Sequence, residues 1–318
     1  MNVLSLFDGI ACGRLALQRA NIQVDTYYAS EIEKSSIKVA LTNFPDIIEV
    51  GDVRNLNTKD FKDIDLMIWG SPCQNFSMAG KRQGMTTKDK ITIDTLDKYL
   101  YYKQQNYSFE GQSYLFWEAI RLLKEIKPKY FLMENVNMAD KWKSIITREL
   151  NVQPIEINSN LVSAQNRVRL YWTNIPNVSV PQDKHVQLKD ILETNKDWNK
   201  ATIVGRRLNQ EGKREDYNKS IPISQYIEVR DTNTNKSNCL TTVEKDNVLT
   251  PLPIGRHKDA FKLNLPFRYY SQTEYERLQT LPNGYTSCLS SSVAKKVIGN
   301  AWTVDVITHL LKGLTGIK

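Results

Sequence analysis

In the first half of the chain, blocks of apolar and polar positions alternate between a period of about two and one of about 3.6. Residues 3–7, 22–29, 47–50, 66–69, 130–133 and 168–173 are short apolar runs that predict strands. Residues 14–20, with Leu15, Ala16 and Ala20 in a helical window, and residues 35–44, 114–126 and 143–150 predict helices between some of them. Such alternation argues for an α/β domain, a parallel sheet with helices on both faces. Ligands of such sheets bind outside the carboxyl ends of the strands, so the residues just after each strand come first for scrutiny.

Two segments break the rhythm. Between Gly80 and Gln112 a polar stretch mixes Lys81, Arg82, Lys88, Lys90, Lys98 and Lys103 with Tyr99, Tyr101, Tyr102 and Tyr107. It is too long for an ordinary connection and reads as a functional lid or an insertion with its own helix. From about residue 174 to 263, Asn, Thr, Lys and Arg dominate and Pro222, Pro251 and Pro253 punctuate, which predicts a separate, irregular or β-rich domain. Beyond it, Ser271-Gln272-Thr273-Glu274 is a capping-box pattern opening a helix through about Thr280. Residues 292–298 and 304–314 read as closing helices, with Gly299 placed to end the first. The expected division is residues 1–173 with 264–318 as one domain and 174–263 as the other.

With 318 residues, 41% of them hydrophobic, the chain can bury one large core or two smaller ones. Its 43 Lys and Arg against 35 Asp and Glu give a net charge of +8, which favours a polyanionic partner, nucleic acid ahead of anionic membrane. Through Trp172 there are 22 basic and 20 acidic residues, and beyond it 21 and 15, so the excess sits in the second half. Cys12, Cys73, Cys239 and Cys288 form no CxxC pair and His185, His257 and His309 are scattered, so no zinc-site spacing is present and no metal is expected. Residues 1–8 lack a basic region, and their apolar run is too short for a signal peptide or membrane span. The expected setting is cytoplasmic and reducing, with no membrane and with thiols free to act as nucleophiles.

The first predicted strand runs into Phe7-Asp8-Gly9-Ile10-Ala11-Cys12-Gly13. Two glycines at a strand-to-helix turn let backbone approach a ligand, but they are four apart and do not make GxGxxG. Asp8 would repel a pyrophosphate and suit a cationic ligand such as the sulfonium and ammonium of S-adenosylmethionine; a plain tight turn is the structural alternative. Glu31 follows the second strand, where it could accept from ribose hydroxyls, and Asp52 follows the third, where it could accept from an adenine amino group. Pro72 fixes the turn that carries Cys73, and Glu134-Asn135-Val136 terminates another apolar strand at the same edge. A nucleophilic thiol with a carboxylate able to share a proton suits addition to a polarised heteroaromatic ring. Arg167 and Arg169, two apart at the start of a strand-like run, are expected on one side, as surface residues or as guanidinium donors to a carbonyl or phosphate.

Taken in order, FDGIACG, Glu31, Gly51-Asp52, SPCQNFSMAG, MENV, QNRVR, a variable region, RYYSQTEYERLQTLPNGY and GNAWTV resemble the DNA cytosine-5 methyltransferases over nearly the whole chain. FDGIACG, Phe109-Glu110-Gly111, Val162-Ser163-Ala164 and Trp302 are most similar to the catalytic domain of the animal de novo enzymes. Their chromatin-reading regions have no counterpart here, which suggests a stand-alone bacterial or phage enzyme, in a restriction-modification, phage-protective or orphan setting. The resemblance implies a Rossmann-like methyltransferase fold with a mixed sheet, and a smaller target-recognition domain over residues 174–263.

For the site, the resemblance implies that the Cys73 thiolate adds to C6 of a flipped-out cytosine in double-stranded DNA. Glu134 would contact N3 and the exocyclic amine, Arg169 the base O2, and Arg167 would organise the pocket. Pro72, Gln74 and Asn135 would support the active-site turn. Phe7, Asp8, Ile10, Gly13, Glu31, Ile32, Asp52, Val53, Asn300 and Trp302 would line the S-adenosylmethionine pocket. Cytosine C5 is too weak a nucleophile to take a methyl group unaided, and addition at C6 makes it enamine-like; reaching C6 requires extruding the base from the stack. The basic, Tyr-rich stretch after Gly80 would then be a mobile lid. Arg206, Arg207, Lys213, Arg214, Arg230 and Lys236 are candidate DNA contacts. The competing readings are a tRNA cytosine-5 methyltransferase and a catalytically silent DNA-binding homologue; the enzyme is expected as a monomer on DNA or a homodimer.

Overall fold

The computed structural model describes residues 1–72, 85–194, 198–211, 213–229, 235–241, 243–258 and 264–315. Chain contacts divide it into two compact units, Met1–Asn158 with Val168–Gln182 and Trp302–Lys318, and Ser159–Arg167 with Asp183–Ala301.

The first unit holds β1 (Asn2–Leu6), α1 (Cys12–Arg19), β2 (Thr26–Ser30), α2 (Lys34–Asn43), β3 (Ile48–Glu49), β4 (Leu66–Gly70), α3 (Leu96–Gln104), α4 (Phe116–Ile126), β5 (Tyr130–Val136), α5 (Asp140–Leu150), β6 (Ile155–Asn158) and β7 (Val168–Thr173). The seven strands are ordered β3-β2-β1-β4-β5-β7-β6. β1 to β5 run parallel, whereas β7 is antiparallel to both β5 and β6. The sheet is thus mixed, as the resemblance implies, although alternation alone predicts a parallel one; β7 is the reversed strand, inserted between β5 and β6.

Strand alternation sorts the side chains of this sheet to its two faces. Leu4, Leu6, Met67, Trp69, Met133 and Trp172 pack in one core with Phe116 and Ile120 of α4 and Trp142 and Ile146 of α5. Ile68 and Tyr27 meet α1 on the opposite face, where a side chain at Gly13 would run into both. α4 has the apolar spacing of a helix laid on a sheet, and it stops where Lys127 turns left-handed (φ 52°) ahead of Pro128.

The segment from Met85 to Gln112 holds its own helix, α3, one of the two expected forms, and is packed down. Met85, Ile93, Leu96 and Tyr99 are buried in the α4 core, and the fully buried Glu118 accepts the Tyr99 hydroxyl at 2.5 Å, Arg121 Nε at 3.0 Å and the Lys103 ammonium. Lys81 and Arg82 of this stretch lie outside the described residues.

The second unit contains α6 (Leu188–Ile191), β8 (Asn199–Arg206), β9 (Ser224–Val229), β10 (Val248–Thr250), β11 (Gly255–Lys258), β12 (Arg268–Tyr269), α7 (Gln272–Leu278) and α8 (Ser291–Asn300). Its strands form an antiparallel sheet in the order β11-β9-β8-β10-β12, over a core of Ala201, Ile203, Ile227, Val229 and Val248. The capping box at Ser271 is formed reciprocally with Glu274, at 3.1 and 2.9 Å. Helix α8 continues through Gly299 to Asn300, two residues past the expected 292–298.

The unit also takes in residues 159–167 and 264–301, which the sequence division had grouped with the first sheet. Buried amides explain the difference. Gln165 Nε2 donates to Gln279 Oε1 at 2.9 Å, and Gln279 Nε2 donates to the carbonyls of Ile298 and Ala301 at 3.1 and 2.9 Å. The last helix, α9 (Val304–Leu311), returns to the first unit and packs on α1. Among the described residues, no helix is long and apolar enough to cross a membrane, and no group of three or more His, Cys, Asp or Glu side chains is placed to hold a metal ion.

Candidate active site

The strand order reverses direction at β1, with β2 and β3 to one side and β4 and β5 to the other. The carboxyl ends of β1 and β4 therefore flank the crevice where sheets of this type take ligands. After β1 the backbone turns sharply, with Phe7, Gly9 and Ala11 all at positive φ. Gly9 has open space around it, as a ligand-facing turn needs, whereas Gly13 is closed in by the sheet: an added Cβ would also lie 2.9 Å from the Tyr27 hydroxyl. Gly13 therefore serves helix-to-sheet packing. Ile10 is buried, and Phe7 packs partly into the core.

Asp8 is 9% exposed and accepts the Tyr27 hydroxyl at 2.7 Å. Burial, reinforced by the charge of Glu31, raises its pKa to about 6. Glu31 ties the first two turns together, accepting from Gly9 N at 2.9 Å through Oε2 and from Ile32 and Glu33 N through Oε1. Ile32 is 61% exposed. Asp52 caps the short turn after β3 and is gripped by Arg54, whose Nε lies 3.0 Å from both of its oxygens; that pairing holds its pKa down. Val53 belongs to the core rather than to any open surface. Asn300 is an exposed residue of the second unit.

Glu49 was not foreseen. In register with Ala29, and so on the Tyr27 face of the sheet, its two carboxylate oxygens are buried with no hydrogen-bond partner among the described residues. Burial, followed by the charges of Asp8 and Glu31, raises its pKa to about 7. A carboxylate inside the apolar run Ile47-Ile48-Glu49-Val50 was the available signal.

Strand β5 extends to Val136, so Glu134 and Asn135 are strand residues that face opposite ways. Glu134 pairs with Gly70 of β4 on one side and Tyr171 of β7 on the other. Because β7 runs antiparallel, its first residues lie beside the end of β5, and Arg169, two before Tyr171, shares the Glu134 face. Arg169 Nε donates to Glu134 Oε1 at 2.9 Å, and Trp302 Nε1 donates to Oε2 at 3.1 Å. On the other face, Asn135 Nδ2 donates to Ser71 Oγ and O at 3.1 and 3.3 Å, bracing the turn into Pro72. Cys73 and Gln74 lie outside the described residues.

Arg167 does not join Arg169. It precedes β7, so the period-two rule does not reach it, and its buried guanidinium donates to the carbonyls of Leu240 and Ala301 at 3.2 and 2.9 Å within the second unit. Lys236 is likewise turned inward. It is 7% exposed and its ammonium donates to the carbonyls of Asn160, Ser163 and Val186 at 2.6, 3.2 and 2.6 Å, so it is not presented to a phosphate. Lys213 is exposed and pairs with Glu211 at 2.8 Å, Arg214 pairs with Asp216, and Arg206 and Arg207 donate to the carbonyls of Gly205 and Ile221. Arg230 lies outside the described residues.

A mixed sheet reversing at β1, with acidic turns after three strands and a carboxylate–guanidinium pair at the same edge, defines a Rossmann-like α/β methyltransferase fold. The family model for C-5 cytosine-specific DNA methylases matches residues 1–315, and the chain belongs to that family. It is 29% identical over 239 residues to the orphan methyltransferase M.Rho11sI of Bacillus phage rho11s, covering 66% of this chain and 43% of that protein. It is 28% identical over 332 residues to the type II methyltransferase M1.ScrFI of Lactococcus lactis subsp. cremoris, covering 96% and 75%. The chain thus spans less than half the length of the phage relative. The solved structure of the S. pombe Dnmt2 methyltransferase shares the fold, with a TM-score of 0.64 at 19% identity and 99% of each chain covered.

Proposed function

We propose that the chain transfers the methyl group of S-adenosylmethionine to C5 of a flipped-out cytosine in double-stranded DNA, through a covalent bond between Cys73 and C6. The observation that carries this reading is the Glu134 carboxylate, held at the sheet edge by Arg169 and Trp302 beside the braced Ser71-Pro72 turn, in a chain of the C-5 cytosine-specific DNA methylase family.

The chemistry follows from the residues. The Cys73 thiolate bonds to C6, and the displaced ring electrons make C5 nucleophilic while Glu134 meets N3 and the exocyclic amine and Arg169 the base O2. After C5 is methylated, loss of its proton and expulsion of the Cys73 thiolate restore the aromatic ring. Glu134 can do its part because Arg169 and Trp302 each take one direction at its two oxygens, leaving one oxygen to accept from the exocyclic amine and the other to share a proton with N3 as negative charge develops there.

The carboxylates at this edge fit the cofactor. Asp8, Glu31 and Glu49 interact electrostatically, and the unpartnered Glu49 oxygens suit a ligand bearing a sulfonium and an ammonium. Glu31 and Asp52 would hold the adenosine portion, with Asp52 first releasing Arg54. When bound, the cofactor supplies an electrophilic methyl group. Target recognition falls to the second unit, with Arg206, Arg207, Lys213 and Arg214 as candidate phosphate contacts.

Labelled S-adenosylmethionine offered with duplex DNA and with tRNA in parallel reactions tests the reading. Label in DNA as 5-methylcytosine is expected; label in tRNA alone, or in neither, would overturn it.

A further inference from the structure

Trp302 was expected in the cofactor pocket, yet its indole nitrogen donates to Glu134 Oε2 at 3.1 Å. The fold makes room for that bond. Gly70 is the β4 partner of Glu134, and a Cβ on Gly70 would stand 2.8 Å from Trp302 Nε1 and 3.1 Å from Glu134 Oε2. No positive φ calls for glycine at this position, so the demand is for space, and the space is filled by the indole. Arg169 Nε holds the other oxygen at 2.9 Å. A carboxylate held at one oxygen turns about its Cγ–Cδ bond; one held at both does not. An indole N–H can only donate, so it serves this purpose without taking a proton from the site.

We propose that Trp302 is a positioning residue for Glu134: its N–H, admitted by the bare Gly70, fixes the carboxylate plane that meets N3 and the amino group of the cytosine. This rests on the cytosine-methylation reading above and differs from a cofactor-wall role, in which the ring face matters and the N–H does not.

Trp302→Phe keeps an aromatic face, smaller than the indole, and removes the donor; Gly70→Ala reaches the same hydrogen bond from the opposite side. Cofactor Kd is measured by titration, and methyl transfer to duplex DNA by single turnover at saturating cofactor and DNA. A hydrogen bond to a charged group is expected to show as a fall of about tenfold or more in the single-turnover rate. Cofactor Kd should stay within about twofold, and the double variant should lose little beyond either single one, because both remove one interaction. An unchanged rate in Trp302→Phe, a loss carried only by cofactor Kd, or losses that multiply in the double variant would overturn the inference. Should Gly70→Ala fail to fold, the split between rate and Kd in Trp302→Phe decides alone. A wild-type protein that labels no DNA sinks the functional reading and this inference with it; an active wild type with an indifferent Trp302→Phe sinks the inference only.

Discussion

Asp8→Asn is expected to stabilise the ligand-free protein while weakening its grip on the cofactor. The Asp8 carboxyl is buried against the Tyr27 hydroxyl, and burial raises its pKa from 3.8 to about 6. An acid whose folded pKa exceeds its unfolded one binds protons more tightly in the folded state. Its stabilising contribution is therefore greatest at low pH and is lost as pH rises from about 4 to about 6. At about 1.4 kcal/mol per unit, ionising Asp8 costs the folded state roughly 3 kcal/mol at pH 7 and above. Asparagine has nearly the same size, still accepts from Tyr27 and does not titrate. Thermal unfolding of the ligand-free protein, followed from about pH 4 to about pH 8, should show the variant gaining up to ~3 kcal/mol on wild type across the interval and then levelling off. A difference that stays constant with pH, or moves in favour of wild type, would refute the reasoning. Calorimetry should show the converse on binding: near pH 6 the wild type releases protons as it takes up the cationic cofactor, and Asp8→Asn releases fewer.

Three further outcomes follow from the packing. Gly13→Ala forces a methyl group against Ile68 and the Tyr27 hydroxyl, and thermal unfolding should register a loss of about 1–3 kcal/mol. Lys236→Met strands one buried and two part-buried carbonyls, so it should cost about 2 kcal/mol of stability; the slope of log affinity for DNA against log salt should stay unchanged, and a shallower slope would return Lys236 to the DNA surface. Glu118→Gln leaves Lys103 and Arg121 facing a neutral amide, and limited proteolysis should then cut within residues 85–112 faster than in wild type; equal rates would show that the ion cluster does not anchor the segment.

The parts of the fold that were legible in the sequence are those fixed by local pattern. β7 was expected over residues 168–173 and is observed as Val168–Thr173, because Val-Arg-Leu-Tyr-Trp-Thr is rich in β-formers and its last four residues are buried on both faces. The capping box at Ser271 needed only four residues. What was illegible depends on residues far apart in the chain. β6 is a four-residue strand whose identity comes from pairing with β7. Arg167 and Lys236 look like surface cations until the carbonyls that bind them, more than 70 positions away in the case of Leu240 and Asn160, are brought in by the fold. The bond that ties residues 264–301 to residues 159–167 is equally hidden in the sequence, since Gln165 and Gln279 are 114 positions apart. Within the site, Glu31, Asp52, Glu134 and Asn135 were singled out by standing at strand ends. Glu49 and Gly70 were not, because burial without a partner and an empty place beside a carboxylate are properties of the assembled sheet.

The central claim is tested most directly by incubating wild-type protein and Cys73→Ala with S-adenosylmethionine and unmethylated duplex DNA, then identifying the methylated nucleoside by mass spectrometry and mapping it by sequencing. Wild type should yield 5-methylcytosine at one recurring sequence, and Cys73→Ala none, with cofactor Kd little changed. Methyl groups on adenine, or undiminished 5-methylcytosine from the Cys73→Ala protein, would contradict the account.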